Sequence, residues 1–197
     1  MPAPWVRTLK KRNSCHKYHH GHALILSGGP GKGGAARLAA RGALRIGAGV
    51  VTIGCPPAAL QENAAQLNAI MLHPLRGGKG LAEALQDTRI NALCLGPGMG
   101  LGDHAADLLA VALGVKTPNS TRFGMRPTRT RAPDAPVSLV LDADALSLIA
   151  RAPDLFAALH ENCVLTPHAG EFARLFPDIA EKLNAPATKG PAYSKVD

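Results

Sequence analysis

The sequence predicts an α/β domain built on a mostly parallel sheet, and three observations lead there. Short runs rich in Val, Ile and Leu alternate with longer Ala/Leu segments of helical period, the pattern of successive strand-helix units. Glycine clusters stand where a strand run gives way to a helical one, at Gly28–Gly34 and again at Gly96–Gly102. The chain has 197 residues, 46% of them hydrophobic and 18% charged, which is enough for one buried core without disulfide or metal staples.

The elements follow in order. His22 to Ser27 is the first strand, ending at Gly28. Ala35 to Ile46 is a helix in which Leu38, Leu44 and Ile46 are spaced as a stripe facing a sheet. Gly49 to Gly54 is the second strand, and Pro57 to Gln66 a helix with proline at its start. Ala69 to Leu72 is a strand, Lys79 to Gln86 a helix, Ala92 to Gly96 a strand, and Asp103 to Leu113 a helix with Asp103 as its N-cap. Ser138 to Asp142 and Cys163 to Thr166 complete six strands; helices are expected at Asp144 to Ala150, Pro153 to His160 and from near Gly170. Residues 1–21 read as a basic lead-in and 22–197 as the domain.

Val115 to Pro136 breaks the pattern. Lys116, Arg122, Arg126, Arg129 and Arg131 stand among Pro, Thr, Ser and Asn with no apolar period, so residues 115–136 are expected to be an exposed loop. That stretch supplies much of the formal charge of +8, yet aromatics are only 4% of the chain, thin equipment for stacking bases, so nucleic acid is not the expected partner. No apolar run approaches the roughly 18 residues of a membrane span. Cys15, Cys55, Cys94 and Cys163 are too widely spaced for a zinc or redox pair and read as reduced, mostly buried thiols, which with the absent secretory signal points to the cytoplasm. His16, His19, His20 and His22 have no acid near them and read as a polar entry strand, not a metal site.

Chemistry concentrates in four strand-end loops. Ser27 to Ala36 holds five glycines between a strand and a helix, where backbone can approach a phosphate and a helix N-terminus offers amides and a positive dipole end. A Walker A loop fails because Gly33 follows Lys32. Gly29-x-Gly31-x-x-Gly34 fits a dinucleotide fingerprint, but the second strand ends Ile53-Gly54-Cys55-Pro56 with no acid for a ribose before Glu62. Gly96 to Gly102 repeats the first design. Asp142 and Asp144 follow a buried strand as helix caps or as groups for a metal-phosphate or ribose. His168 sits between strand and helix, placed either to meet an amide or phosphate or to hydrogen-bond its own turn. In a parallel sheet all four loops share the carboxyl edge, where such folds collect ligands.

Taken together these loops resemble those of the NAD(P)H-hydrate dehydratases of the ribokinase-like superfamily. The resemblance rests on His16-Lys17, Gly28-Gly29 with Gly34-Ala35-Ala36, Arg45-x-Gly47-Ala48-Gly49, Gly96-Pro97-Gly98, Leu141-Asp142-Ala143-Asp144-Ala145-Leu146, Thr166-Pro167-His168 and Gly170-Glu171. It implies a three-layer domain and the dehydration of the S epimer of hydrated NADH or NADPH, with ADP or ATP as phosphoryl donor and Mg2+, giving NAD(P)H, phosphate and, from ADP, AMP. It implies that Ala36, Gly98 and His168 touch the hydrated nucleotide, with Gly34, Gly100, Asp142 and Asp144 as support and no protein metal ligand among them. A homo-oligomer is expected.

Two departures stand out: Ala169 where the family usually has proline, and the long basic 115–136 stretch. A Lys-Gly segment at the ADP phosphates and a Gly-Thr-Gly-Asp helix start bearing the catalytic aspartate are expected beyond Asp197. Ser194-x-x-Asp197 likewise announces a helix, so the chain reads as C-terminally truncated, with Leu141, Val164 and Leu165 left exposed or half-exposed. The alternatives are another ribokinase-like small-molecule kinase, such as a hydroxyethylthiazole-type kinase, and a non-catalytic nucleotide- or nucleic-acid-binding module. The 197-residue chain is expected to give no measurable ADP-dependent dehydration of hydrated NADPH; the test is recovery of NADPH absorbance, and turnover like that of an intact family member would refute it.

Overall fold

The computed structural model describes residues 15–115 and 137–184. The expected 115–136 loop, apart from its first residue, the first part of the lead-in and the closing Ser-x-x-Asp therefore lie outside the described residues. Six strands pair in parallel throughout: β1 (His22–Leu26), β2 (Val50–Cys55), β3 (Met71–Pro74), β4 (Ile90–Leu95), β5 (Ser138–Leu141) and β6 (Cys163–Leu165). Their order in the sheet is β3-β2-β1-β4-β5-β6. The chain builds outward from β1 in one direction, then crosses back to start again at β4 on the other side.

Right-handed crossovers make that reversal place helices on both faces. On one face α1 (Gly34–Ile46) and α2 (Leu60–Ala64) pack over β1 to β3. On the other lie α3 (Gly77–Ala84), α4 (Asp103–Leu113), α5 (Asp144–Ile149), α6 (Pro153–Ala157) and α7 (Ala169–Leu175), with α8 (Pro177–Asn184) packed on α7. Strand register explains the two cores. Leu72, Ile53, Ile25, Cys94, Val140 and Val164 stand in one row across the α1 face. Leu24, Leu26, Leu93, Leu95, Leu139 and Leu141 point to the opposite, larger core.

Several expectations need correction. Leu141 is fully buried, because its side of the sheet is covered by α4 and α5; only Val164, facing the other way at the sheet edge and 54% exposed, and Leu165, half-buried, are as expected. In α1, Leu38 and Ile46 are exposed; the packed stripe is instead Ala36 and Ala40, with Ala43 and Leu44 partly buried. Asp103 is the first helical residue after the Gly102 cap and its side chain makes no capping bond, although a carboxylate there still complements the helix dipole. Lys17–His20 form a 3-10 turn, so of the four early histidines only His22 belongs to a strand. The third strand starts two residues later than expected and α3 two residues earlier, since the Gly78 N–H donates to Asp107 Oδ2 at 2.8 Å and brings the Gly77-Gly78 pair into the helix.

His22 is buried at the start of β1, its Nε2 2.8 Å from Thr52 Oγ1 and its Nδ1 without a hydrogen-bond partner among the described residues. Burial lowers its pKa below the ordinary 6.5, with Asp87 opposing and Arg89 and Lys17 adding to the shift. The unfolded chain thus binds this proton more readily than the folded one. Stability is expected to be full above pH 6.5 and to fall as pH drops from there through the depressed folded value. Urea midpoints measured from about pH 8 to about pH 5 should show this loss, and His22→Gln should flatten it.

Candidate functional site at the carboxyl edge

The four loops emerge together because all strands end on the same edge. After β1, the Ser27 N–H donates to the Gly54 carbonyl at 2.8 Å, extending the ladder by one residue, and a Lys32 N–H to Gly29 carbonyl bond of 2.9 Å closes the turn before α1. After β4, the Met99 N–H donates to the Gly96 carbonyl at 3.1 Å. The two turns touch: a methyl group at Gly28 would collide with the carbonyl of Gly98, and one at Gly98 would meet the Lys32 carbonyl at 2.8 Å. Backbone approach this close excludes any side chain.

The third loop braces the second. The Asp142 N–H bonds the Leu95 carbonyl at 3.2 Å, and Gly96 lies against the Asp142 carbonyl. Asp142 Oδ1 accepts from the Ala143 N–H at 2.9 Å, and Asp144 Oδ2 accepts from the Gly100 N–H at 2.8 Å. Between the two acids, Ala143 has φ 46° and ψ −115°, the one non-glycine at positive φ among the described residues. The fourth loop attaches through the Thr166 N–H to the Leu141 carbonyl at 3.1 Å. His168 there caps α7: its Nδ1 accepts from the Gly170 N–H at 3.0 Å, and its own N–H donates to Glu171 Oε2 at 3.0 Å. That bond leaves the ring proton on Nε2, 3.4 Å from Glu171 Oε1, with the side chain 69% exposed.

Beside the interlocked turns lies a cavity of about 330 Å³ whose walls include Gly28, Gly29, Cys55, Leu75, Met99 and His104. Sequence reasoning missed Leu75 and His104; the position of His104, just past the second glycine turn, was the available signal. Gly34, Ala36, Gly98, Gly100, Asp142, Asp144 and His168 do not line the cavity. Ala36 is 3% exposed with its methyl in the smaller core, so its side chain is turned away from the loop. Burial raises the Cys55 thiol pKa and, with Asp142 adding, pushes Cys94 to about 11, so neither is a nucleophile at neutral pH. No group of three ligating side chains that could hold a metal exists among the described residues. Asp142 and Asp144 each hold a backbone amide, so among the described residues they make no ready cation site.

A parallel α/β domain that gathers glycine turns at its point of reversal has the layout in which open α/β folds collect their ligands, and the fold here is ribokinase-like. A ribokinase-like protein from Enterococcus faecalis superposes with TM-score 0.62 at 19% identity, over 84% of this chain and 51% of that one. The model of the NAD(P)H-hydrate dehydratase family matches residues 23–190, and the chain belongs to that family. It is 33% identical to the bifunctional NAD(P)H-hydrate repair enzyme Nnr of Coxiella burnetii, over 84% of this chain and 29% of the relative. It is 31% identical to the mouse ATP-dependent (S)-NAD(P)H-hydrate dehydratase, over 82% of this chain and 43% of that one. The Bacillus subtilis ADP/ATP-dependent NAD(P)H-hydrate dehydratase, crystallised with ATP/Mg2+, superposes with TM-score 0.61 at 28% identity, over 87% of this chain and 53% of that one. The chain thus spans about half the length of its solved neighbours and less of these curated relatives.

Ala143 holds a conformation that L side chains rarely adopt, which costs about 1–3 kcal/mol. Ala143→Gly removes that strain against about 0.5–1 kcal/mol of added backbone entropy. A net gain of about 1 kcal/mol is expected in urea unfolding; a loss would mean that the Ala143 methyl contributes more than its backbone costs.

Proposed function

We propose that this chain handles hydrated NADH or NADPH in an ADP- or ATP-dependent (S)-NAD(P)H-hydrate dehydratase reaction. The observation that carries the reading is the interlock of the Gly28 and Gly98 turns at the reversal point of the sheet, in a chain of this family. Backbone amides around Gly34 and Gly98 suit the diphosphate of a nucleotide, Gly100 being held by Asp144, and a mostly apolar cavity suits an uncharged hydrated nicotinamide ring. Gly98, the backbone at Ala36 and the exposed Nε2–H of His168 are the proposed contacts; Asp144 and Asp142 hold the second turn and the strained corner beneath it.

In the proposed reaction the ring hydroxyl oxygen takes the phosphoryl group and gives up its proton. The carbon–oxygen bond then breaks with phosphate leaving, and the neighbouring ring carbon loses a proton to restore the dihydronicotinamide. ADP or ATP would supply the phosphoryl group, and Mg2+, carried on the nucleotide's own phosphates and not by the described side chains, would offset its charge. The chain's own part is to position the hydroxyl and keep water from the ring, the main protein contribution in phosphoryl transfer. A cytoplasmic homo-oligomer goes with this reading, and light scattering of the purified chain tests the assembly.

The test of binding is calorimetric titration with the S and R epimers of hydrated NADPH. The S epimer is expected to bind more tightly, and His168→Ala to weaken it by roughly tenfold, the usual effect of one lost polar contact. Equal or absent binding of both epimers would overturn the reading.

A further inference from the structure

Glu62 is the first acid after β2, and it is turned on the protein's own glycine loop. The five-residue α2 carries it to Gly31, whose N–H donates to Glu62 Oε2 at 2.7 Å. The other oxygen, Oε1, receives Arg37 Nη1 at 3.0 Å. The Gly31 hydrogen bond first, and the Arg37 guanidinium after it, hold the Glu62 carboxyl below the ordinary carboxylate range. One carboxylate thereby ties the tip of the loop to the first turn of α1.

The tie has a buried foundation. Asn63, the next residue, is fully buried; its Oδ1 accepts from Arg37 Nη1 at 3.1 Å, and its Nδ2 donates to the Ala59 carbonyl at 3.0 Å and, at 3.5 Å, toward Ser27 Oγ. Ser27 Oγ in turn donates to the Gly28 carbonyl at 3.1 Å. Gly33 closes the arrangement: a methyl group there would lie 2.7 Å from Arg37 Nη1, 2.8 Å from Asn63 Oδ1 and 3.3 Å from Ser27 Oγ. Arg37 thus arrives at Glu62 already oriented by a side chain that cannot move. An exposed ion pair contributes little when both side chains must be immobilised for it. Here one partner is fixed beforehand, and the other also accepts a backbone amide.

We infer that Glu62, held by Arg37 and Asn63, is the positioning residue that sets the Gly28–Gly34 turn in the conformation that receives the nucleotide. This rests on the functional reading above. Asp144 on the Gly100 N–H is its counterpart on the second turn, so each glycine turn has one amide held by a carboxylate from a neighbouring segment. Glu62 touches no reacting atom in this scheme.

The experiment follows amide exchange at Gly31 by NMR in the full chain without ligand, and calorimetric affinity for the S epimer of hydrated NADPH. Glu62→Ala is expected to speed Gly31 exchange and weaken the nucleotide by roughly tenfold each, the usual worth of a charge-assisted hydrogen bond. Glu62→Gln keeps an acceptor of the same reach and should restore most of both, whereas a purely electrostatic surface role would leave Gln as poor as Ala. Unchanged Gly31 exchange in Glu62→Ala overturns the inference, as does faster exchange with undiminished affinity. If the unsubstituted chain binds neither epimer, the functional reading fails. The affinity arm then counts against positioning a nucleotide, while the exchange arm still reports whether Glu62 orders the turn.

Discussion

The functional edge depends on two glycines touching. β1 is paired on both sides, by β2 and by β4, so the turns that leave β1 and β4 rise from adjacent strands about 4.8 Å apart. At that spacing no side chain fits between two turns that lean toward one another, and Gly28 meets the Gly98 carbonyl with backbone alone. The loops after β5 and β6 then attach to the pair in series, through Leu95 to Asp142 and Leu141 to Thr166. A change at the first contact would be felt along the whole row.

The general layout was legible because parallel strands buried on both faces leave an unmistakable rhythm in the sequence. All six strands and the helices between them appear where alternation of apolar runs placed them, within the few residues by which short elements end. Errors arose where burial depends on which face a strand presents. Leu141 and Val164 are both apolar residues on late strands, yet one register step puts the first under α4 and α5 and the second toward the open side. Likewise the stripe of α1 was assigned to Leu38, Leu44 and Ile46, of which Leu44 alone packs; the buried contact is made by Ala36 and Ala40.

The site was legible in its parts and obscure in its couplings. Glycine turns, the paired acids near Ala143 and the capping choice at His168 could all be read locally, since each is a relation between residues close in sequence. The pairing of Glu62 with Gly31 joins residues that only the adjacency of β1 and β2 brings together. The walls of the cavity have the same origin: Leu75 follows β3, His104 is the second residue of α4, and beyond the place of His104 just past a glycine turn nothing local marks either as a partner of Gly28. Tertiary meetings between ordinary residues leave no local trace.

The alanines of α1 also bear on how the domain can change over time. Ala36 and Ala40 are the points on which the helix rests, at 3% and 0% exposure, while bulkier Leu38 and Ile46 look outward. The height of the first turn above the sheet is therefore set by two methyl groups, and the turn carries Gly33 and Gly34 with it. The helix works as a lever with its fulcrum next to the glycine turn. A single added methylene at position 36 or 40 would lift the glycine turn, whereas the outer surface of the same helix is free to drift. Tolerance and intolerance alternate there with the period of the helix, so the chain can diverge widely in sequence while the backbone at its ligand edge stays in place.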